Sequence, residues 1–345
     1  VTSYYFLVPR PTSLAPLPHF PYFLQPIIPP NSRISRRKDT RMTRPPFLQA
    51  GDTVAIVATA RKVSKAEMRP AISILESWGL KVQAGKNLYK DDRQFAGTDE
   101  DRAGDLQRAL NNKNVRAVFF ARGGYGSVRI IDSIDWKKFN KDPKWLIGFS
   151  DITVIHNHVH RHCSVETLHA PMCLNLPKLS AQCLQVLKDA LFGQRLRYSS
   201  SKQQPALEKL NRKGKSSGVL TGGNLSILYS LMGSASDADT TGKILFLEDL
   251  DEYLYHIDRM MMNLKRNGKL AGLKGLIVGG MTEMKDNPTP FGRTAEEIIA
   301  EAVAEYDYPV VYGFPAGHIP NNYPLIFGRE VTLNVTEKME LTFQA

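Results

Sequence analysis

The chain is poor in cysteine, and this scarcity limits the classes of protein to which it can belong. Only Cys163, Cys173 and Cys183 occur in 345 residues, and no two of them form a C-x-x-C pair. A disulfide framework or a zinc knuckle needs more cysteines at closer spacing. The cysteine content therefore argues against both and is typical of a reducing compartment, so we expect a cytoplasmic location.

Long apolar runs and a complete dinucleotide motif are also missing. No window approaches the roughly 18–20 uninterrupted apolar residues of a membrane-spanning helix, so we expect no membrane partner. Gly124-Tyr125-Gly126-Ser127 falls short of a dinucleotide fingerprint, because Arg129 occupies the position of the third glycine. Of the net charge of +11, +6 belongs to residues 1–46, so the charge gives little reason to expect a nucleic-acid partner.

Residues 1–46 differ in composition from the rest of the chain. They hold ten of the 21 prolines, which interrupt every apolar run. The order of basic and apolar residues is the reverse of a secretory signal. We expect a disordered extension here, or a translation start at Met42.

An alternation of apolar strand runs and helical patterns begins at Gly51 and predicts a parallel sheet with helices on its faces. The predicted strands are 53–58, 81–84, 115–121 and 145–149, and the predicted helices are 65–78 and 99–111. The pattern breaks after Pro177, and residues 178–217 are predicted to be a linker. A second unit covers 218–345, with strands at 218–220, 244–247, 275–279, 310–312 and 331–335 and helices at 224–232, 255–267 and 294–306.

One turn in the first unit is the strongest candidate for chemistry. The apolar run 115–121 ends in Gly123, Gly124 and Gly126, and Ser127 follows before a helical pattern. A tight turn of this kind exposes a side chain and leaves helical N–H groups free for an oxyanion. Ser127 is therefore a candidate nucleophile, although a plain glycine-rich turn would look the same.

A serine nucleophile needs a base and a group that orients the base. Glu248 directly follows the run 244–247, and His318 lies in a loop past the strand around Val311. Strand ends and the loops after them are where α/β enzymes place catalytic groups. A solvated strand end and a hydrogen-bonded loop imidazole are the alternative interpretations of Glu248 and His318.

Three further features compete with this triad. Gly148-Phe149-Ser150-Asp151 resembles a nucleophile turn, but it lacks the second glycine of G-x-S-x-G, so Ser150 or Asp151 is predicted to be a helix N-cap. The alternating run His156, His158, His160 and His162 has i,i+4 pairs that can hold zinc, but H-E-x-x-H is absent and a polar helix face is favoured. His169 is expected to be structural or to line a pocket.

Seven motifs occur in the order found in the LD-carboxypeptidases, the muramoyltetrapeptide carboxypeptidase family, which the chain resembles from about Gly51 to its end. They are Arg122-Gly123-Gly124-Tyr125-Gly126-Ser127, Gly148-Phe149-Ser150-Asp151-Ile152-Thr153, Leu168-His169-Ala170-Pro171-Met172, Leu220-Thr221-Gly222-Gly223-Asn224-Leu225, Leu247-Glu248-Asp249, Ile257-Asp258-Arg259-Met260 and Gly313-Phe314-Pro315-Ala316-Gly317-His318. The resemblance implies a flavodoxin-like N-terminal domain (47–177), a β-rich C-terminal domain (218–345), a site between them and a homodimer.

The resemblance also implies the site residues and the reaction. Ser127 is the implied nucleophile, His318 the general base and Glu248 its orienting group. The N–H groups of Val128 and Gly124 are predicted to form the oxyanion hole, and Arg122 and Gly123 to bind substrate, with Arg129 a second candidate for the substrate carboxylate. The expected reaction is cofactor-free release of terminal D-alanine from the murein tetrapeptide in peptidoglycan recycling.

Three alternatives stay open at this point. Hydrolases of the microcin C immunity type act on acyl-aminoacyl adenylates, but they usually carry Asn where this chain has Gly126. A non-catalytic binding module on the same scaffold is a second alternative, and retention of all three triad residue types argues against it. A metallohydrolase built on the run from His156 to His162 is the third, and sensitivity to chelators would identify it.

Overall fold

Strands and helices alternate along the first half of the chain, and strands dominate its end. The computed structural model describes residues 42–200 and 205–344. The strands there are β1 (Thr53–Val57), β2 (Lys81–Ala84), β3 (Val115–Phe120), β4 (Trp145–Gly148), β5 (Thr167–His169), β6 (Arg197–Ser200), β7 (Gly214–Asn224), β8 (Ile244–Leu250), β9 (Gly275–Thr282), β10 (Val310–Val311), β11 (Leu325–Phe327), β12 (Glu330–Val335) and β13 (Met339–Phe343).

The helices of the described residues fall where the apolar spacing changes from two residues to three or four. They are α1 (Lys65–Ser77), α2 (Asp99–Asn111), α3 (Ser127–Ile130), α4 (Lys137–Lys141), α5 (Thr153–His162), α6 (Ala181–Leu191), α7 (Pro205–Glu208), α8 (Leu225–Leu231), α9 (Leu254–Arg266) and α10 (Ala295–Ala302). Short 3₁₀ turns occupy Ile131–Ser133, Ser150–Ile152 and Cys173–Lys178. Every helix and strand predicted from the sequence is present, with ends shifted by a few residues.

The first sheet has the strand order β11-β5-β4-β3-β1-β2 in the described residues, and β1 to β5 run parallel. Its central strands are apolar runs buried on both faces, as expected for a parallel sheet covered by helices. The predicted flavodoxin-like α/β architecture of the first half is confirmed. The carboxyl ends of β3 and β4 lie at one edge, which brings the turns of Ser127 and Ser150 close together.

The second sheet has the order β10-β9-β8-β7-β12-β13-β6 in the described residues. Strands β7 to β10 are parallel, whereas β12, β13 and β6 pair antiparallel, so the predicted β-rich second half is confirmed. Strand β11 crosses over and pairs antiparallel with β5 of the first sheet. One hydrophobic cluster includes Phe119 of the first sheet and Phe246 of the second, so the halves share a core.

The segment 178–217, predicted as a linker, is largely built into the fold where it is described. Helix α6 begins after Ser180, whose hydroxyl accepts from the Cys183 N–H, and it buries Cys183, Leu187 and Leu191 on one face. Strand β6 forms the edge of the second sheet. The linker prediction is wrong for these elements, because the polar residues that suggested it lie on their exposed faces. The limits 47–177 and 218–345 stay predictions.

For residues 1–41, the prediction of a disordered extension lies outside the described residues. Residues 42–46, the last five of the predicted extension, are part of the fold: Thr43 donates to the Ser164 carbonyl at 2.7 Å, and the Glu166 N–H donates to the Thr43 carbonyl at 2.9 Å. The prediction of a disordered extension is therefore wrong for residues 42–46. In the portions of the chain described here, no helix has both the length and the apolar character needed to cross a membrane.

Candidate active site

Ser150 lies on a sharp turn between β4 and α5. Its backbone has φ +63°, a left-handed conformation that non-glycine residues adopt rarely and that concentrates at functional sites. A Cβ atom at Gly148 would lie 2.9 Å from Ile152 Cγ1, so the chain needs glycine just before the turn. The turn lifts the Ser150 hydroxyl above the carboxyl end of the sheet. Backbone strain of this kind is the hallmark of a nucleophile elbow.

Three side chains form a continuous hydrogen-bonded chain at this turn. His318 Nε2 lies 3.1 Å from Ser150 Oγ, and His318 Nδ1 lies 2.6 Å from Glu248 Oε2. The His318 backbone N–H also donates to Glu248 Oε2 at 3.2 Å, which fixes the loop on the carboxylate. The predicted contact between Glu248 and His318 is present. The arrangement has the geometry of a serine, a base and a group that orients the base.

The surroundings of His318 favour its protonated form. Burial by itself lowers the pKa of the imidazole, but the charge of Glu248 and its hydrogen bond outweigh burial and leave the pKa above its ordinary value. The negative charges of Asp249 and Glu283 act in the same direction. The Phe149 ring centroid lies 4.8 Å from that of His318, so an apolar wall covers one side of the base.

Glu248 occupies a fully buried position in β8, and a glycine gives the His318 loop access to it. Gly317 has φ +105°, and a Cβ atom there would lie 2.7 Å from Glu248 Cβ and 2.8 Å from its Oε2. Any other residue would push the loop 313–318 away from the carboxylate. The motif that ends in Gly317-His318 is therefore explained by close approach to Glu248.

Ser127 does not contact His318, contrary to the sequence prediction. Its hydroxyl is fully buried and lies 2.7 Å from the Thr59 hydroxyl, while both ring nitrogens of His318 are engaged by Glu248 and Ser150. The N-cap prediction for Ser150 and Asp151 is also wrong, since neither side chain caps the Ser150–Ile152 turn or α5. Ser150 and Ser127 both follow a buried strand, so no local signal in the sequence distinguishes them.

Asp151 joins the two serine turns. Its carboxylate Oδ2 accepts from the Ser127 backbone N–H at 2.9 Å, and only 1% of the residue is exposed. Burial raises the pKa of this carboxyl, and the hydrogen bonds from Ser127 oppose that rise only in part. The sequence analysis missed this link, because the two residues are 24 positions apart and meet only through the sheet.

A buried arginine holds the other side of the Ser127 turn. Arg102 donates to the Gly126 carbonyl at 3.1 Å and to the Thr59 carbonyl, and it pairs with Asp99. Its guanidinium also lies 4.7 Å from the Phe95 ring centroid. No sequence pattern singles out Arg102, because α2 carries several other charged residues. Together with Asp151 it fixes the turn that carries Gly123 and Gly124.

Gly123 lies next to Ser150. A Cβ atom at Gly123 would lie 3.2 Å from Ser150 Cβ and 3.3 Å from its Oγ, so the backbone of the Gly123–Gly124 turn faces the hydroxyl. Gly124 has φ +110° and is exposed. Val128 follows Ser127 rather than the serine that contacts His318, so the reason for assigning its N–H to an oxyanion hole no longer holds. The N–H that corresponds to it here is that of Asp151.

The two arginines predicted as candidates for the substrate carboxylate differ in their partners. Arg129 is held by Asp99, with Nη2 2.8 Å and Nε 3.0 Å from the carboxylate. Arg122 Nη1 donates to the Lys62 carbonyl at 3.4 Å, which turns its side chain along the loop after β1. The charge of Arg129 is therefore balanced by a carboxylate, whereas Arg122 hydrogen-bonds to a neutral carbonyl beside the site.

The histidines of α5 each use a ring nitrogen within the fold. His156 Nε2 lies 2.9 Å from the Gly148 carbonyl, His158 Nδ1 lies 2.9 Å from Ser236 Oγ, and His160 Nε2 lies 3.1 Å from Thr167 Oγ1. His162 Nε2 lies 2.7 Å from the Ala235 carbonyl. Burial lowers the pKa of His156 to about 4 and that of His160 to about 3. In the described residues no three His, Cys, Asp or Glu side chains are grouped as metal ligands.

His169 lies in the core below the site. It is fully buried, its ring centroid is 5.9 Å from that of Phe149, and burial lowers its pKa well below the ordinary value. Phe246 and Phe327 pack on it at 5.0 and 5.1 Å between ring centroids. His169 therefore supports Phe149, which in turn packs against His318.

Models of a known protein family match both halves of the chain. The LD-carboxypeptidase N-terminal domain matches residues 54–170, and the LD-carboxypeptidase C-terminal domain matches residues 217–333. A probable murein peptide carboxypeptidase of Bacillus subtilis is 33% identical over 297 residues, covering 86% of this chain and 92% of that protein. The murein tetrapeptide carboxypeptidase of Pseudomonas aeruginosa is 29% identical over 286 residues, covering 81% and 92%.

Solved structures show the same fold. The muramoyltetrapeptide carboxypeptidase of Oxalobacter formigenes aligns with a TM-score of 0.77 at 28% identity and covers 85% of this chain and 99% of that one. MccF in complex with glutamyl sulfamoyl guanosine aligns with a TM-score of 0.78 at 20% identity and covers 89% and 99%. At that lower identity, the second likeness is evidence for the fold alone.

Proposed function

Because the chain belongs to the LD-carboxypeptidase family, we propose that it is a serine-type LD-carboxypeptidase that acts on murein tetrapeptide. The observation that carries the proposal is the chain of hydrogen bonds from Ser150 through His318 to Glu248. Ser150 replaces Ser127 as the nucleophile in this proposal, because it is the serine within reach of the base.

The geometry supports a two-step acyl transfer. Ser150 Oγ attacks the carbonyl carbon of the scissile bond, and His318 Nε2 takes the hydroxyl proton. His318 then gives that proton to the leaving amine nitrogen, so the C–N bond breaks and free D-alanine departs. A water molecule repeats the sequence on the acyl-enzyme and restores Ser150. Glu248 stabilises the imidazolium and holds the ring tautomer throughout.

The oxyanion hole of this proposal lies between the two turns. The Asp151 N–H follows the nucleophile directly, and the Gly123–Gly124 turn faces Ser150 from the other side. Removal of one such donor typically costs about 10²- to 10³-fold in turnover. The bond from Ser127 N–H to the Asp151 carboxylate holds the two donor-bearing turns in register.

The names of the relatives support the choice of substrate. The protein of Pseudomonas aeruginosa is named a murein tetrapeptide carboxypeptidase, and the chain covers 92% of its length. The microcin C immunity type shares the fold at about 20% identity, and the residue before Ser127 no longer discriminates it, since Ser127 lies away from His318. No contact of the described site favours an adenylate over a peptide.

Product analysis tests the function. Purified protein is incubated with murein tetrapeptide, and the products are followed by mass spectrometry. We expect the tetrapeptide to lose one D-alanine and no other residue. Cleavage of an acyl-aminoacyl adenylate with an intact tetrapeptide would contradict the proposed substrate while keeping the serine chemistry.

We also propose that the protein is cytoplasmic and forms a homodimer. The three cysteines are free thiols, and burial raises the pKa of Cys183 to about 11 and that of Cys173 to about 12, which keeps them unreactive. The dimer rests on the family resemblance. Light scattering of the purified protein tests it, and a single-chain mass of 38.6 kDa at working concentrations would contradict it.

A further inference from the structure

A carboxypeptidase must recognise the free carboxylate that follows the scissile bond. In the last residue of a peptide, that carboxylate lies three bonds beyond the attacked carbonyl carbon, a distance of no more than about 4 Å. The group that binds it must therefore lie beside the oxyanion turn. Arginine suits this role, because its planar guanidinium binds a carboxylate through two parallel hydrogen bonds.

Resting on the proposed function, we infer that Arg61 binds the terminal carboxylate of the substrate. Its side chain lies directly over the oxyanion turn: a Cβ atom at Gly124 would lie 2.6 Å from Arg61 Cδ and 2.7 Å from its Nε. A Cβ atom at Gly123, the preceding residue of the turn, would lie 3.2 Å from Ser150 Cβ and 3.3 Å from its Oγ. Only Gly123 and Gly124 therefore lie between the Arg61 guanidinium and the Ser150 hydroxyl.

Two other cations near this turn are already paired with carboxylates, and Arg122 donates to the Lys62 carbonyl. Lys62 Nζ lies 2.7 Å from Asp91 Oδ2, and Arg129 is held by Asp99. Arg61 is exposed, and its guanidinium forms no hydrogen bond or ion pair with the residues that the structure describes. Its charge is therefore available for a ligand, whereas a substrate would have to displace Asp91 or Asp99 from the others.

The negative charges around His318 support the same placement. Glu248, Asp249 and Glu283 lie close enough to His318 to raise its pKa through their negative charge. A substrate carboxylate on that side would be repelled, and the loop after β1 is the cationic side. The terminal carboxylate is therefore held on the side of Arg61, with Arg122 as a neighbouring positive charge.

Two substrates and four proteins test the inference. The substrates are murein tetrapeptide with a free terminal carboxylate and the same peptide ending in D-alaninamide, and the measurement is the ratio of their kcat/KM values. Arg61→Gln should lower the ratio about 10- to 100-fold, mainly through a higher KM for the free acid. Arg61→Lys should recover part of the loss, because lysine supplies the charge without the planar fork.

Lys62→Gln is the matched control, because it removes one positive charge from the adjacent residue. Its ratio should stay within about twofold of wild type, since the Lys62 ammonium is bound to Asp91. Thermal melting of the Arg61 variants checks that they fold. If Arg61→Gln does not fold, the ratio measured for Arg61→Lys tests the inference.

An unchanged ratio in Arg61→Gln would overturn the assignment, as would an equal loss in Lys62→Gln. Release of no D-alanine by the wild type would overturn the proposed function and the assignment together. The two failures are distinguishable, because only the first leaves a wild-type enzyme that prefers the free acid.

Discussion

The turns that carry Ser127 and Ser150 look alike in sequence and differ in what the rest of the chain brings to them. Each follows a buried parallel strand, contains glycine and opens a short helical segment. The Ser127 hydroxyl points inward to Thr59, whereas the Ser150 hydroxyl faces His318. A nucleophile is therefore identified by the base that reaches it, and here that base comes from the second half of the chain.

The second half packs against the start of α5, directly after the Ser150 turn. The Asn224 N–H donates to Thr153 Oγ1 at 3.0 Å, and a Cβ atom at Gly223 would lie 2.4 Å from the same oxygen. These contacts seat the carboxyl end of β7, and with it β8 and Glu248, against the start of α5. Ser150 is three residues from Thr153, so it is the serine that this packing presents to His318.

Ser150→Ala should cause the largest loss of turnover and so distinguish the two turns most clearly. We expect kcat to fall about 10⁴-fold or more, because the attacking oxygen is lost and only binding and the oxyanion hole remain. The melting temperature should change little, since the side chain is partly exposed. Steady-state release of D-alanine is the measurement. Near-wild-type turnover would show that another residue is the nucleophile.

Glu248→Gln should cost about 10²- to 10⁴-fold in kcat, because the amide cannot stabilise the imidazolium. The pH profile provides a second readout. In the wild type, activity should rise with pH as His318 loses its proton, with an apparent pKa above the usual value of about 6.5. Glu248→Gln should move this pKa down. A profile that falls with rising pH through this range would contradict His318 as the base.

Asp151→Asn should weaken the link between the turns. We expect kcat to fall about 10- to 100-fold, because replacing the carboxyl oxygen that accepts from the Ser127 N–H weakens the anchor of the Gly123–Gly124 turn. Burial raises the pKa of Asp151, so a neutral amide there should not lower the free energy of unfolding. Loss of stability in step with activity would point to a purely structural carboxylate.

Ser127→Ala should have the smallest effect. It removes the hydroxyl that contacts Thr59 and Asp151 but keeps the backbone N–H that donates to Asp151, so turnover should stay within about threefold of wild type. The free energy of unfolding should fall by about 1–2 kcal/mol, because the buried hydrogen bonds of the hydroxyl are lost. Thermal melting and D-alanine release measure the two effects. A loss as large as that of Ser150→Ala would reverse the comparison between the turns.

The sequence predicts the elements well because each has its own local signal. Helix α1 illustrates this: Ser64 and Glu67 form a capping box before an apolar face that includes Met68 and Leu75. Glu248 and His318 were also identified, since each follows an apolar run. Helix α6 and strand β6 were missed, because their polar outer faces resemble a linker.

The choice between the two serines could not be made from the sequence. It depends on the contact between Thr153 and Asn224, which are 71 positions apart, and on the left-handed backbone of Ser150. Neither this contact nor this backbone conformation can be recognised from the local sequence. The sequence predicts that the glycine-rich turn carries the nucleophile, whereas in the structure this turn lies beside the nucleophile.

Covalent labelling tests the identity of the nucleophile most directly. The protein is treated with a serine-directed phosphonofluoridate and digested, and the modified peptide is identified by mass spectrometry. The account predicts an adduct on Ser150 that disappears in Ser150→Ala and persists in Ser127→Ala, since the Ser127 hydroxyl is buried and His318 contacts Ser150 instead. An adduct on Ser127, retained when Ser150 is replaced, would contradict it.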